Sequence, residues 1–599
     1  MSIGIPFRRD PITGWGSSLT AQLEISLGQF SDRGRKEINQ DFHGALIPDG
    51  SARTMKGITM VIADGISSSD VSQIAAETAV KSFLSDYYCT SDAWSVKTSA
   101  QRVISAVNSW LHAQSRQAVY GDGLGHERDR GFVCTFSVLV LKSRTAHLFH
   151  IGDSRVLRLV GPSLERLTVD HTVHVSSSQT YLARALGMDA QVEIDYRQLP
   201  LSVGDVFVLA TDGIADYADK ATMQRLLAKS TDLDEVARGL ASHALESGSR
   251  DNLTVQVVRI ESLPGAEAEE GGSLSNALSP PGIPEPGMEF EGWKIIRRLH
   301  GSDRSHVFEA VDVVSGVRVA LKIPAVSVHE DAVFLRRFMM EEWVARRVSH
   351  PHVLRAVVPD RPRRFLYTTM ELVEGRSLSR WMQDNPNPPV SVVQAIVSQI
   401  GAGLQAMHRR QMLHQDLRPE NILIDAAGHV TLIDFGSAWV AGVEELTAVS
   451  ANPLPGTQQY MAPEYLLGES GTAASDLFSL GIITYQMLAG QLPYSAAMAQ
   501  ATSRAAQRRA AYVPLVGEDS EVPLFVDAAL RKAVHFDPAK RQQEVAEFIA
   551  DLSRLNPSLP GLERSALAER DPVVFWKSIS LFLFITVTAL IGWLATHTH

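Results

Sequence analysis

The chain has 599 residues, 45% hydrophobic and 21% charged, with a formal net charge of −11 at pH 7. That length and apolar content suffice for more than one buried core, and the acidic balance argues against broad binding to a nucleic-acid backbone. Two cysteines exclude a disulfide framework or a cysteine zinc set and fit a reducing compartment.

Met1 to Asp10 carries two arginines with no long apolar run behind them, which does not read as a signal peptide. Further on, aspartates recur where short apolar runs meet turns. Asp64 follows Ile58 to Ala63, Asp153 follows Leu148 to Gly152, Asp212 follows Val206 to Thr211, and Asp251 precedes Asn252 to Val255. The pattern predicts carboxylates at strand ends. Taken singly, an Asp-Gly or Asp-Ser pair is an ordinary turn. Several anionic oxygens gathered at a sheet edge repel one another unless a cation lies between them, and hard divalent ions prefer oxygen donors.

The order of these motifs resembles the metal-dependent PP2C-type Ser/Thr phosphatases over residues 21–262. The resemblance includes Ser31-Asp32-Arg33-Gly34 with Asn39-Gln40-Asp41, Ala63-Asp64-Gly65, Gly152-Asp153-Ser154-Arg155, Leu167 to His171, Arg184 to Gly187, Thr211-Asp212-Gly213 and Ser249 to Asn252. It implies an α+β fold, an antiparallel β-sandwich flanked by helices. It also implies two or three Mn2+ or Mg2+ ions: Asp64 bridging, Asp212 and Asp251 completing one ion, Gly65 lending a carbonyl to another, Asp41 orienting metal waters and Asp153 holding a third. Arg35 or Lys36 would take the substrate phosphate, and water activated by metal would attack phosphorus in line. Gln40 replaces a usual acid, which removes one carboxylate that supports the metal waters. Ile66 replaces a histidine, and Ser67 and Ser68 replace glycines. A thiol mechanism is excluded, because Ser95 and Val140, not arginine, stand six residues after Cys89 and Cys134.

Residues 263–289, rich in Pro, Gly, Ser and Glu, predict a flexible tether. Beyond it come Val319-Ala320-Leu321-Lys322, the run His414-Gln415-Asp416-Leu417-Arg418-Pro419-Glu420-Asn421, Asp434-Phe435-Gly436 and Ala462-Pro463-Glu464. This set resembles the eukaryotic-type protein kinases over residues 290–555 and implies a two-lobed fold that uses ATP and Mg2+. By that resemblance Asp416 accepts the proton of a substrate hydroxyl, Arg418 meets the transferred phosphoryl, Lys322 pairs with Glu341, and Asn421 and Asp434 hold the metal. Leu299, Gly301, Ser302, Ser305, Val307 and Ala320 would surround the nucleotide, with Glu371 and Leu372 at the link between lobes. Asp476 and Arg541, the latter through Glu464, would brace the larger lobe, although Arg541–Glu464 reads equally as a surface ion pair. His300, Ser302 and Ser305 stand where three glycines are usual, which implies a looser grip on ATP. Gln415 replaces the arginine that reads an activation-loop phosphate, so control by that ion pair is not expected. Gly456 to Met461 resembles the docking segment of kinases directed at serine and threonine.

Residues 556–572 form a juxtamembrane segment and 573–595 a predicted transmembrane helix. Ser578 to Ala595 has no charged residue and at 1.5 Å per residue would span about 27 Å, near the hydrocarbon thickness. Lys577, Arg570 and Arg564 precede it, which places the catalytic parts on the cytoplasmic face of the cytoplasmic membrane. The whole reads as a membrane-anchored signalling enzyme similar to fused bacterial kinase–phosphatases. Its protein partners would carry Ser/Thr or phospho-Ser/Thr, the chain itself among them, and no nucleic acid is expected. The alternatives are a phosphatase governed by a nucleotide-binding pseudokinase and a non-catalytic scaffold for phosphoproteins.

Overall fold

The apolar runs that end at the aspartates form strands, and most are buried on both faces, which is why they read as continuous rather than alternating. The computed structural model describes residues 22–597 except 123–130, 161–162, 177–178, 266–277, 444–456, 496–497, 499–500, 517–521, 557 and 560–571. Thr447 and Ser450, the hydroxyls that the sequence offers for self-modification between Asp434 and Glu464, therefore lie outside the described residues. Two compact units emerge.

The first is a two-sheet sandwich. Its strands are β1 (Glu24–Asp32), β2 (Asp41–Leu46), β3 (Ile58–Asp64), β4 (Phe136–Lys142), β5 (Thr145–Ile151), β6 (Arg155–Val160), β7 (Ser163–Arg166), β8 (Thr172–Ser176), β9 (Gln179–Leu182), β10 (Asp195–Pro200), β11 (Val206–Ala210) and β12 (Leu253–Ser262). One sheet runs β1-β12-β11-β6-β7 and the other β10-β5-β4-β3-β2, with β8 and β9 pairing apart as a hairpin. Met60, Ile62 and Leu139 of one sheet pack against Phe207, Leu209 and Val258 of the other. The helix Ser72–Cys89 covers one outer face, its Phe83 ring 5.7 Å from that of Phe136. The helix Leu233–Glu246 covers the other through Val236, Ala237 and Leu240. Gly28 lets that helix approach β1, since a Cβ there would lie 2.0 Å from the Leu233 carbonyl carbon.

The second unit opens with the antiparallel sheet β13-β14-β15-β16-β17, made of β13 (Glu289–Phe290), β14 (Trp293–Gly301), β15 (Ser305–Asp312), β16 (Arg318–Pro324) and β17 (Thr368–Glu371). Asp331 caps the helix Ala332–Arg347 by accepting from the amides of Val333 and Phe334. The helical part contains Val390–His408, Ala473–Ala489, Leu524–Ala533 and Val545–Ser553. Val390–His408 is long and apolar enough to cross a membrane by composition. Its Val393, Ile396, Ile400 and Leu404 are buried, however, and a Cβ on Gly401 would meet Ile549 at 2.5 Å. It is a core helix.

The ends of the expected tether 263–289 are structured. Arg144 donates to the Pro264 carbonyl (2.8 Å), the Leu366 amide donates to Ser279 (2.9 Å), and the Gly287 amide donates to Ile295 (2.8 Å). Hydrogen bonds to main-chain groups need no apolar side chain, so composition alone did not reveal them. At the far end Pro572–His597 is one 26-residue helix. Leu581, Phe582, Leu583, Phe584, Ile585 and Val587 on it are exposed.

Candidate active sites

Strand register gathers the aspartates of the first unit. Asp41 and Asp64 are cross-strand partners on β2 and β3, while Asp212 follows β11 and Asp251 precedes β12, adjacent strands of the facing sheet. Thr211 Oγ1 donates to Asp41 Oδ2 (2.9 Å). Thr135 clips the end of β3 in place, its hydroxyl accepting from the Asp64 amide (3.0 Å) and its amide donating to the Asp64 carbonyl (2.8 Å). Gly65 sits where a Cβ would lie 2.7 Å from the Ser72 carbonyl oxygen and 2.8 Å from that of Gln40, so only glycine fits the turn.

Burial, with Asp212 adding repulsion, raises Asp41 to about 7. Burial and then Asp41, Asp212, Asp153 and Asp251 push Asp64 well above the usual carboxylate range. Asp153 rises to about 7 through burial, then Asp212 and Asp170. Asp212 is raised by burial and by Asp251. Oδ1 of Asp41 and Oδ1 of Asp212 are buried with no hydrogen-bond partner among the described residues. Unpaired, mutually repelling carboxylate oxygens are the donor set that a hard divalent ion suits. No three His, Cys, Asp or Glu side chains among the described residues form a ready-made cage, so the fit rests on donor chemistry. Lys36 ion-pairs with Asp251 and donates to Ser67 Oγ (2.7 Å). Arg35 instead reaches the Leu245 carbonyl (3.2 Å). Gln40 is fastened by its amide to Ser72 Oγ (2.7 Å) and the Ser69 carbonyl (3.2 Å), making it a strap for the turn after Asp64.

In the second unit Lys322 Nζ lies 2.8 and 2.6 Å from the two Glu341 oxygens and 3.7 Å from Asp434 Oδ1. Lys322 holds Asp434 below the usual carboxylate range against its burial. Asp434 and Gln415 both adopt positive φ, 63° and 62°. Asn421 donates to the Asp416 carbonyl (2.8 Å) and to Asp416 Oδ2 (3.1 Å), while Asp416 Oδ1 is buried with no partner among the described residues. Burial and the charge of Asp434 raise Asp416 to about 6. Arg418 pairs with Glu420 (2.7 Å), a partner that the motif did not announce.

Asp476 accepts from the amides of His414 and Gln415 (both 2.9 Å) and contacts His408 Nε2 (2.8 Å), which braces the loop from below. Arg541 meets Glu464 twice (2.9 and 2.8 Å), and both are buried, so the surface-pair alternative does not describe this contact. At the β14–β15 turn, Ser302 Oγ accepts from the amides of Arg304 (3.3 Å) and Ser305 (3.2 Å), and the Ser302 amide donates to the Ser305 carbonyl (2.9 Å). Amides that a glycine loop offers to phosphate are here bonded within the turn. Gly301 pairs with His306 and Val307 with Lys322 across β15, while Ala320 pairs with Met370, next to Glu371 and Leu372. Leu299 lies partly exposed on β14.

A protein phosphatase 2C family model matches residues 30–248 and a protein kinase domain model matches residues 299–559. The chain is 29% identical over 265 residues to the serine/threonine-protein kinase PrkC of Bacillus subtilis, covering 43% of this chain and 40% of that protein. It is 32% identical over 275 residues to PknA of Corynebacterium glutamicum, covering 45% and 57%. Thus it spans about half the length of the curated relatives it matches. Among solved structures it is similar to PppA, a regulatory component of T6SS in Pseudomonas aeruginosa, at 23% identity and a TM-score of 0.33, covering 40% of this chain and 99% of that one. Residues 30–248 belong to the protein phosphatase 2C family and residues 299–559 to the protein kinase family, fused in one chain.

Proposed function

We propose that this chain both phosphorylates protein serine and threonine with ATP and hydrolyses the resulting phosphoesters. The observation that carries the reading is the pair of carboxylate centres with buried oxygens that have no partner among the described residues: Oδ1 of Asp41 and of Asp212 in one unit, Oδ1 of Asp416 in the other.

In the kinase unit Asn421 and Asp434 would hold magnesium, which would neutralise phosphate charge. Lys322, fixed by Glu341, would pair with the nucleotide phosphates. Asp416 takes the hydroxyl proton as the serine or threonine oxygen bonds to phosphorus and ADP leaves. In the phosphatase unit Asp64, Asp153, Asp212 and Asp251, with the Gly65 carbonyl, would hold manganese or magnesium, which when bound lowers the pKa of water for attack on phosphorus. Asp41, whose Oδ2 accepts from Thr211 Oγ1, would help to orient such water. Lys36, paired with Asp251, would turn to the substrate phosphate.

The turn that consumes its own amides at Ser302 favours weak nucleotide binding, which is the strongest argument for the pseudokinase alternative. Intact Lys322–Glu341 and Asp416–Asn421 contacts speak against it. The exposed apolar helix Pro572–His597, with Lys577 at its start, supports a membrane anchor with the catalytic units in the cytoplasm. Incubating the chain with labelled ATP, and separately with a phosphoserine peptide with and without manganese, tests the reading. Transfer without hydrolysis, or hydrolysis that persists in chelator, would remove the phosphatase half; hydrolysis without transfer would leave the pseudokinase alternative.

A further inference from the structure

The motif residue His171 is used by no step above, yet it occupies a particular place. Its own amide donates to the Gly152 carbonyl (2.8 Å), and the Gly152 amide donates back to His171 Nδ1 (3.1 Å). Nδ1 is therefore the acceptor, which leaves the ring proton on Nε2, directed at Asp195 Oδ2 (3.1 Å). Arg184 holds the other Asp195 oxygen (3.0 Å). The residue clamped between the two bonds, Gly152, has φ 109°, and a Cβ on it would lie 2.5 Å from Thr135 Cβ. Glycine thus allows the chain leading into Asp153 to press on Thr135, whose hydroxyl bonds the Asp64 amide and Ser154 Oγ (2.9 Å). On its other side, the His171 carbonyl accepts from the Ala183 amide (2.7 Å), closing the base of the β8–β9 hairpin.

From this geometry we propose that His171 is a positioning residue, which sets Asp153 through Gly152 and ties it to the β8–β9 hairpin through Ala183. A ligand carboxylate on a mobile backbone loses affinity when its support is removed, commonly by about 10- to 100-fold for groups that orient metal ligands. The chain Arg184–Asp195–His171–Gly152–Asp153 runs from the partly exposed Arg184 and Asp195 to the carboxylate cluster, so whatever displaces the hairpin displaces Asp153. The inference rests on the phosphatase reading.

The two ring positions can be separated. In His171→Asn the side-chain oxygen falls near the place of Nδ1 and can still accept from Gly152. In His171→Gln the amide reaches toward Asp195 and leaves the Gly152 amide unbonded. Manganese titration of the nucleotide-free full chain in detergent, with free Mn2+ read by electron paramagnetic resonance, should show His171→Gln weakening its loosest site about ten-fold or more, with His171→Asn within about three-fold of the parent. In an Asp153→Asn background the His171→Gln change should have no further effect, because the group it acts through is gone. Asp195→Asn, at a half-exposed position that tolerates change, should shift binding in the same direction by freeing the ring to reverse its tautomer. Parental Mn2+ affinity in His171→Gln, or an undiminished loss in the Asp153→Asn background, overturns the inference; should that variant not fold, parental affinity in Asp195→Asn does so. Absence of peptide hydrolysis by the parent instead counts against the phosphatase reading, since the titration needs no turnover.

Discussion

Under the proposed function Asp416 is the base of the second unit, and its Oδ1 has no partner among the described residues, so its replacement by alanine should abolish phosphoryl transfer and leave ATP binding near the parental level, measured by filter assay and by nucleotide titration. Its raised pKa also fixes a pH dependence. The ionised form is the base, so transfer should fall as pH drops through about 6. Asn421 donates to the ionised form and lowers that midpoint; Asn421→Ala should raise it among its other effects, as read from the pH–rate profile. The candidate residues were legible because the reactions proposed for them demand particular side chains at close spacing. Their supports were less so. Thr135, which bonds both sides of the Asp64 peptide, stands in an apolar run without any motif. Gln40 read as the loss of an acid, whereas its side chain ties Ser69 and Ser72 to the strand end. Arg541 was visible as a residue but not as a buried one; Arg541→Ala would strand Glu464 inside the lobe, and the kinase unit should lose about 3–5 kcal/mol in denaturant unfolding.

At the level of elements, close approach decides more than composition. Gly28→Ala would drive a Cβ into the backbone of Leu233 and should push the helix Leu233–Glu246 off its sheet, costing about 1–3 kcal/mol by calorimetry of the phosphatase unit. The strand runs of the sandwich were legible from their apolar character and their turn residues. The helix Val390–His408 shows the limit of that signal, because an all-round apolar stretch suits a lobe's core as well as a bilayer. Pro572–His597 differs in having exposed apolar side chains along its length. Removal of residues 573–599 should move the protein from the membrane pellet to the soluble fraction with both activities intact. Continued pelleting would refute the anchor. At the ends of the expected tether the Pro264 carbonyl accepts from the Arg144 side chain, and Ser279 and Gly287 take part in main-chain bonds, none of which a hydropathy pattern registers.

On the scale of the whole molecule, the proposed function puts two opposed chemistries on one polypeptide, where a shared substrate would meet both at high effective concentration. Inactivating the phosphatase with Asp212→Ala should raise the steady phosphate on the kinase unit above that of the parent, measured by intact-mass spectrometry. Equal, undetectable phosphate in both would mean that the units do not share that substrate.

The Lys322–Glu341 contact is closed, and Gln415, an uncharged residue, offers no ion pair to a phosphate on the activation segment. Under the proposed function the kinase thus has no built-in ignition, and its forward rate stays on whenever ATP is present. Because every copy of the kinase arrives with one copy of the phosphatase, the modified fraction of a common unsaturated target becomes a ratio of two rate constants, from which the amount of protein cancels. Such a chain behaves as a ratiometric set-point, insensitive to how much of it the cell makes and adjustable only through whatever changes one rate without the other.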